Sequence, residues 1–245
     1  MIQFHRDQVR LFVLLFQGRV GSSYLTEALS SHLEIKMLDE SFRRHRKTAS
    51  IQLKAMREFL TPPLLGSYRA IGFKIKLYDV GDHKGFAELL KEERVYIIHM
   101  SRRNMVKQAV SWIRASRLYD ATGDWNLYKD ADRLAALTID PAEFRTRLEQ
   151  LEKRERVLRD YVMSLELPTL SLYYEDLFVD KRNTIDLVLP FLGVQPQPVE
   201  GAALKNTSDD LRQAIENFDE LRSLYTGTPY EAMFDEVILP AQIQI

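Results

Sequence analysis

Cysteine is absent from the 245-residue sequence, and this absence excludes disulfide bonds, thiolate metal ligands and cysteine nucleophiles. Histidine is scarce as well. The five histidines, His5, His32, His45, His83 and His99, show none of the close spacings that are typical of a metal site. The sequence therefore predicts no metal.

The sequence also lacks an apolar run of the roughly 18 to 20 residues that a membrane-spanning helix requires. Its first residues do not have the layout of a secretory signal, so we expect no transmembrane segment and a cytoplasmic location. Neither sign of charge dominates, because 34 Lys and Arg residues are balanced by 35 Asp and Glu residues. We therefore expect no nucleic-acid partner, and any anion site must be local.

Size and composition indicate one folded unit. A hydrophobic content of 45% and a charged content of 28% are typical of soluble globular proteins. The chain is long enough for one large α/β domain, and no repeat, linker or low-complexity tract interrupts it. We predict a single domain over residues 1–245, of unknown oligomeric state.

Short apolar stretches alternate with helical or loop sequence along the chain. Residues 11–16, 34–38, 70–77, 94–100 and 168–173 have the pattern of short buried strands, and residues 104–117, 140–164, 180–191 and 209–224 the pattern of helices. This alternation predicts an α/β fold with a central, mainly parallel sheet flanked by helices. Because ligands of such folds bind at the carboxyl ends of strands, Gly18, Asp39, Glu40, Tyr78 and residues 101–103 should lie along one edge.

A glycine-containing loop follows the first predicted strand and precedes a helix. The segment reads Gly18-Arg19-Val20-Gly21-Ser22-Ser23-Tyr24. Glycines allow a sharp turn, the serine hydroxyls lie beside the free amides of a helix start, and the arginine adds a positive charge. This P-loop-like strand-loop-helix predicts an anionic ligand, although it lacks the glycine spacing and the lysine of nucleoside triphosphate loops.

Two further elements lie at the ends of later strands. Arg102 and Arg103 follow the strand at 94–100, and Ser111 lies two helical turns later, so an arginine and a hydroxyl can hold one phosphate from two sides. Two separate anion sites imply a doubly phosphorylated ligand. In the segment Tyr174-Glu175-Asp176-Leu177, the aromatic ring can stack on a purine and the acidic pair can cap the next helix.

Taken in order, the three elements resemble those of the sulfotransferases that use 3′-phosphoadenosine 5′-phosphosulfate (PAPS). The segment 18–25 is similar to the loop that binds the 5′-phosphosulfate in bacterial and carbohydrate-acting members. An arginine with Ser111 is similar to the family's 3′-phosphate pair, and two spacings in the family leave Arg102 and Arg103 both open. Tyr174 matches the tyrosine that lies near the adenine in the family.

The resemblance covers about residues 11–193. In other members a basic C-terminal stretch also reaches the 3′-phosphate, and Lys205, in Lys205-Asn206-Thr207, is the candidate for that role here. The sequence departs from those members because it has no Arg-Lys-Gly run. The resemblance implies PAPS as co-substrate, 3′-phosphoadenosine 5′-phosphate (PAP) as product and no metal.

Sulfuryl transfer builds negative charge on the bridging oxygen of the donor, and positively charged or N–H donors must already point there. Arg19 and the amides of Ser22 and Ser23 fit that requirement, and Lys74 is similar to a strand lysine of the family. An acceptor hydroxyl also needs a base. Glu40 is the favoured carboxylate and Asp39 the second, and the histidines His45 and His83 remain possible bases.

The resemblance implies a PAPS-dependent sulfotransferase that acts on a hydroxyl, or an amine, of a small-molecule acceptor. Relatives suggest a carbohydrate or glycolipid, and Trp112, Tyr119, Trp125 and Tyr128 are candidates for a wall of its site. Two alternatives stay open. A kinase or nucleotidase with a degenerate phosphate loop would depend on magnesium and ATP, and a non-catalytic nucleotide-binding protein would bind PAP without turnover.

Overall fold

Five parallel strands form one sheet within residues 9–62 and 67–239, which are the residues that the computed structural model describes. They are β1 (Arg10–Phe16), β2 (Ile35–Leu38), β3 (Ala70–Ile75), β4 (Tyr96–Ser101) and β5 (Thr169–Tyr173). The strand order is β2-β3-β1-β4-β5, and every neighbouring pair is parallel. The predicted α/β fold with its central parallel sheet is confirmed.

Helices cover both faces of the sheet. In the described residues they are α1 (Ser22–Ser30), α2 (Ala49–Leu60), α3 (His83–Glu92), α4 (Met105–Thr122), α5 (Pro141–Leu165), α6 (Tyr174–Val179), α7 (Lys181–Phe191), α8 (Phe218–Ser223) and α9 (Glu231–Asp235). Leu11, Val13 and Leu15 of β1 pack with α2, α3 and the second half of α5, whereas alternate residues of β1 pack with α1 and α7. Burial on both faces explains why β1 is apolar throughout.

A third apolar cluster lies beside the sheet. It joins α4 to the first half of α5 and to α8 and α9, with Ile113, Phe144, Phe218 and Phe234 among its buried members. Each such side chain contributes about 1.5–3 kcal/mol when fully buried. The cluster therefore holds the C-terminal segment against the helix that carries Ser111.

The observed elements differ from the predicted ones at their ends. The third strand ends at Ile75, because Leu77–Asp79 forms a 3₁₀ turn at the sheet edge. Arg94 has a left-handed backbone (φ 52°), so the fourth strand starts at Tyr96. The predicted helix at 209–224 is interrupted, and only a 3₁₀ turn at Leu211–Gln213 and α8 are helical.

Other helix ends follow local sequence signals. Asn104 caps α4, and Asp140 with Pro141 begins α5. Gly123, in the left-handed region (φ 83°), ends α4 five residues beyond the predicted end. None of the helices in the described ranges is long and apolar enough to cross a membrane.

Candidate nucleotide-binding site

The loop between β1 and α1 forms a backbone cradle. Arg19 (φ 69°) and Gly21 (φ 81°) both adopt left-handed conformations, and no side chain caps the start of α1. The first amides of a helix have no acceptor within the helix. Their N–H groups and the positive end of the helix dipole therefore provide a site for an anion.

Gly21 is required for its conformation and for the space around it. A Cβ atom at this position would lie 3.0 Å from Leu177, 3.2 Å from the Tyr174 ring and 3.3 Å from Met100. Tyr174, the first residue of α6, therefore lies directly against the phosphate loop. The predicted purine-stacking residue and the predicted phosphate loop are brought together.

Arg19 connects the phosphate loop to α4 and to the loop that follows it. Its Nε donates to Ser111 Oγ at 3.2 Å, and its Nη1 donates to Trp125 O at 3.0 Å and to Asn126 Oδ1 at 3.1 Å. The Asn126 amide in turn donates to Ser23 Oγ at 3.2 Å. Ser111 therefore lies within one hydrogen bond of the phosphate loop.

Arg102 and Arg103 have opposite environments. The Arg102 side chain is buried, donates to Arg19 O at 3.3 Å and lies over the Tyr174 ring at 4.1 Å from its centroid. Arg103 is largely exposed and makes a bidentate ion pair with Asp176, with N–O distances of 2.7 and 2.8 Å. The structure places Arg102, and not Arg103, beside the phosphate loop.

One cleft of about 890 Å³ is shared by these elements. Nine of the predicted binding residues line it: Arg19, Gly21, Ser22, Ser23, Tyr24, Arg102, Ser111, Tyr174 and Lys205. Gly18 and Val20 support the loop from behind, since Gly18 O accepts from the buried Gln108 amide at 2.8 Å and Val20 is fully buried. Phe178 and Lys181 also line the cleft and were not predicted.

The cleft is positively charged. Burial lowers the pKa of Arg19 to about 10, with a smaller contribution from the charge of Arg102. Burial likewise lowers the pKa of Arg102 and of Lys205. No carboxylate belongs to the described lining of the cleft. A ligand with several negative charges would compensate these desolvated cations.

The C-terminal segment closes one side of the cleft. Lys205 Nζ lies 3.5 Å from the centroid of the Phe178 ring and 2.9 Å from Asp209 Oδ1. The other oxygen of Asp209 accepts from the buried Lys107 of α4 at 2.7 Å. Asn206 lines the cleft, and both polar atoms of its buried side chain have no hydrogen-bond partner among the described residues.

Sequence reasoning missed Asn126, Asn206 and Thr207 as cleft residues. Asn126 lies in the loop 123–126, whose only local signal was a glycine turn. Asn206 and Thr207 directly follow Lys205, yet their neighbours in the sequence do not indicate which helix they approach. The only sequence signal for Asn206 and Thr207 is that they are polar and directly follow Lys205, a predicted phosphate-binding residue.

The candidate bases lie at the same sheet edge. Asp39 and Glu40 follow β2. The Asp39 carboxylate pairs at 2.7 Å with Lys74, which is in β3, and the Glu40 carboxylate pairs with Lys76, which directly follows β3. Lys74 is buried and also lies 3.5 Å from Ser23 Oγ on the phosphate loop. Glu40 is 4.0 Å from Lys74 and is less exposed than Asp39.

The two candidate histidines make their described hydrogen bonds away from the phosphate loop. His45 Nε2 accepts from the neighbouring Arg44 at 3.1 Å, and a His83 ring nitrogen donates to Leu77 O at 2.9 Å. Neither contact in the described residues involves the phosphate loop. Geometry therefore favours the carboxylates over the histidines as residues of this site.

The prediction that Glu175 and Asp176 cap the helix that follows them is wrong. Glu175 accepts from the Arg103 and Asn104 amides, at 3.1 and 3.2 Å, and so caps the start of α4. α6 itself has no side-chain cap. The reason is that β4 and β5 are adjacent and parallel, so the residues after them meet across the sheet edge.

Three of the predicted acceptor-wall aromatics form a cluster. Trp125 stacks on Tyr119 with ring centroids 4.9 Å apart and lies 6.0 Å from Trp112. Tyr128 instead donates to Glu27 at 3.1 Å. Because the Trp125 carbonyl accepts from Arg19, the cluster adjoins the phosphate loop.

No group of three or more His, Asp or Glu residues within the described ranges is arranged to hold a metal ion. The site's donor set is instead made of arginines, lysines, hydroxyls and amides. Such groups bind anions.

Comparison with known proteins points to one family. The family model described as Stf0 sulphotransferase matches residues 78–219, which is more than half of the chain and includes Arg102, Ser111, Tyr174 and Lys205. The matched range begins after the phosphate loop and after the candidate carboxylates. No curated protein matches the sequence.

Two solved structures are similar to the chain. A sulfotransferase from Alicyclobacillus acidocaldarius aligns with a TM-score of 0.48 and 16% identity, over 92% of this chain and 96% of that one. Mouse sulfotransferase SULT7A1, complexed with PAP, aligns with a TM-score of 0.42 and 14% identity, over 91% of this chain and 71% of that one.

Proposed function

The chain belongs to the Stf0 sulphotransferase family, and from that premise we propose that it transfers a sulfuryl group from PAPS to a hydroxyl group of a small acceptor. Family membership makes the chain a sulfotransferase and disfavours the kinase and nucleotidase alternatives. The donor, the acceptor and the roles of individual residues are the content of the proposal.

The observation that carries the proposal is the set of cations in the cleft. Arg19, Arg102 and Lys205 line one cavity, and its described lining contains no carboxylate. Burial disfavours each charge. A nucleotide with a phosphate at each end of its ribose matches this arrangement, because charge-assisted hydrogen bonds from several sides would compensate the buried cations.

The two ends of the donor are assigned from the two groups of cations. The loop from Gly18 to Tyr24, with its free helix amides and Arg19, would hold the 5′-phosphosulfate. Arg102 with Lys205 and Ser111 would hold the 3′-phosphate. The nearly parallel rings of Tyr174 and Phe178, 6.0 Å apart, line the same cleft and would contact the adenine.

In the transfer step, the acceptor oxygen forms a bond to sulfur while the bond from sulfur to the bridging phosphate oxygen breaks. The electron pair of the broken bond stays on the phosphate, giving PAP and a sulfated acceptor. Arg19 and the Ser22 and Ser23 amides stabilise the charge that develops on that oxygen. The chemistry proposed here is metal-independent and in line.

The proton of the acceptor hydroxyl passes to a carboxylate. Glu40 is the proposed base, with Asp39 as the second candidate, because both lie beside the lysines that approach the phosphate loop. Lys76 holds the Glu40 carboxylate in place. Lys74 would add positive charge near the sulfuryl group, since it lies next to Ser23.

A carbohydrate or glycolipid hydroxyl is the proposed acceptor. The cluster of Trp112, Tyr119 and Trp125 beside Arg19 supports it, because exposed aromatic faces suit the apolar faces of sugars. A single domain and a cytoplasmic location also remain predictions. Expression of the intact chain and fractionation of the source cells test them.

Calorimetry tests the donor assignment. PAP, ADP and ATP are titrated with and without magnesium into the wild-type chain and into the Arg102→Ala and Arg103→Ala variants. We expect PAP to bind most tightly in both conditions, and Arg102→Ala alone to weaken it. Preference for ATP with magnesium would contradict the proposal, and PAP binding without PAPS turnover on any acceptor would indicate a non-catalytic protein.

A further inference from the structure

A second cavity lies next to the residue that precedes the phosphate loop. It measures about 620 Å³, and its lining includes Gln17, Leu77, Tyr78, Lys153, Arg154 and Val157. Gln17 directly precedes Gly18, and Leu77 and Tyr78 follow β3 at the same sheet edge. We call this space the side cavity. It borders Gln17, the residue before the phosphate loop, and none of its described lining residues lines the nucleotide cleft.

The side cavity is close to the proposed base. Lys76, the partner of Glu40, passes within 3.8 Å of where a Cβ atom on Gly18 would lie. The pKa of Tyr78 is raised to about 12, chiefly by burial and also by the charges of Asp79 and Glu40. Because Tyr78 lies two residues after Lys76, the partner of Glu40, we expect a molecule in the side cavity to lie near the base.

One face of α5 adds positive charge to this region. Arg147, Gln150, Arg154 and Val157 are spaced three or four residues apart and so share a face. The Arg154 guanidinium lies over the Tyr78 ring, 4.5 Å from its centroid. Arg147, two helical turns before Arg154, does not line the side cavity, and its guanidinium lies 3.1 Å from the centroid of the Trp112 ring in the aromatic cluster.

The described residues give these cations no ion-pair partner, although the charge of Glu143 acts on Arg147. In the described residues, no carboxylate oxygen lies within 4.0 Å of the charged groups of Arg147, Lys153 and Arg154. By contrast, Glu143, which is also in α5, pairs with Arg117 of α4 at 2.8 Å. The Nε atom of Arg147 is buried and has no hydrogen-bond partner among these residues. Burial lowers the pKa of Arg147, and the charge of Arg154 adds to the shift. An anion between the two arginines would relieve both effects.

Apart from Lys153 and Arg154, the lining of the side cavity combines the apolar side chains of Leu77 and Val157 and the Tyr78 ring with the polar side chains of Gln17, His83 and Gln150. We propose that the side cavity is the acceptor site and that it takes an acceptor carrying an anionic group, such as a phosphate monoester, next to an apolar portion. The inference rests on the proposed function and names the acceptor class for it. Arg147 and Arg154 hold the anionic group, and the apolar portion occupies the cavity.

This placement is consistent with the transfer step. The acceptor hydroxyl, held between the side cavity and the phosphate loop, loses its proton to Glu40 as its oxygen bonds to sulfur. The anionic group of the acceptor takes no part in the reaction and leaves with the sulfated product. Arg147 and Arg154 are therefore residues of acceptor specificity and not of sulfuryl transfer.

Binding of a charged and a neutral probe of similar shape tests the inference. Phenyl phosphate and benzyl alcohol are titrated separately into the protein saturated with PAP, so that the nucleotide cleft is already filled. We expect phenyl phosphate to bind at least about tenfold more tightly, as a charge-assisted hydrogen bond implies. Arg154→Gln and Arg147→Gln should each remove most of this preference, and Arg154→Lys should restore part of it.

Arg156→Gln is the matched control, because Arg156 is an exposed residue of the same helix that lies on the face opposite to Arg147 and Arg154. It should leave both affinities unchanged. Equal binding of the two probes, or equal affinities in Arg154→Gln and Arg156→Gln, would overturn the inference. PAP affinity is measured first in every variant. If PAP binds and the probes show no preference, only the acceptor inference fails, whereas failure of PAP to bind overturns the proposed function and this inference with it.

Discussion

The two ends of the nucleotide cleft are built in different ways. The phosphate loop is one continuous segment, and its shape comes from backbone conformations at Arg19 and Gly21. The other group, Arg102, Ser111 and Lys205, comes from the end of β4, from α4 and from the C-terminal segment. An anion site made from backbone amides is local, whereas one made from side chains depends on how distant elements pack.

The arginine pair shows the same difference within two residues. Successive residues at the end of a strand point in opposite directions. Arg102 therefore turns into the cleft, over Tyr174, while Arg103 turns to the surface and pairs with Asp176. Two identical side chains, adjacent in sequence, thus have unrelated environments.

Among the substitutions considered, removal of the positive charge of the phosphate loop should reduce turnover the most. We expect Arg19→Ala to lower kcat about a thousandfold, because preorganised donors of this kind stabilise the transition state by about 3–4 kcal/mol. Release of PAP at saturating PAPS and acceptor measures it, with Arg103→Ala as the matched control. Near-normal turnover would remove Arg19 from the reacting centre.

The proposed base should affect chemistry but not donor binding. Glu40→Gln should slow transfer to a hydroxyl about a hundredfold, the low end of general-base contributions, with PAP affinity nearly intact. The same turnover assay, combined with calorimetry, separates the two effects. Asp39→Asn is the parallel variant, and a larger loss there would reassign the base to Asp39.

The side-chain end of the cleft should matter for the 3′-phosphate alone. Arg102→Ala should weaken PAP binding about tenfold to a hundredfold, as the loss of a charged hydrogen bond implies, and leave the affinity for adenosine 5′-phosphate almost unchanged. Calorimetry with both nucleotides measures it. Equal losses for the two nucleotides would place Arg102 elsewhere on the ligand, and Arg103→Ala should change neither.

The smallest expected difference is between two glycine substitutions. Comparing their losses of stability separates the cost of packing from the cost of backbone strain. Gly21→Ala and Gly123→Ala both place a Cβ on a left-handed residue, which costs about 1–2 kcal/mol. At Gly21 the Cβ also meets Leu177 and Tyr174, whereas at Gly123 no atom of the described residues lies within 4 Å of it, its chain neighbours apart. Urea unfolding should therefore show a larger loss of stability for Gly21→Ala. Equal losses of stability would mean that α6 moves to accommodate the Cβ at Gly21 with no loss of free energy.

Much of the fold could be predicted from the sequence. The strand β1 and the loop after it follow from an apolar run and from two glycines, and the caps at Asn104 and Asp140 mark where α4 and α5 begin. The helix predicted at 209–224 failed because side-chain contacts shape that segment. Asp209 there is held by Lys107 and Lys205 instead of by a helical hydrogen-bond pattern.

The sequence by itself determined the parallel α/β fold, the position of the phosphate loop and the family, because each depends on residues that are neighbours in the chain. Only the tertiary structure decided between Arg102 and Arg103, and only it brought Asn126 and Asn206 to the cleft. These choices depend on the direction of a side chain at a strand end and on contacts between distant segments. Such contacts leave no pattern in the residues on either side of them.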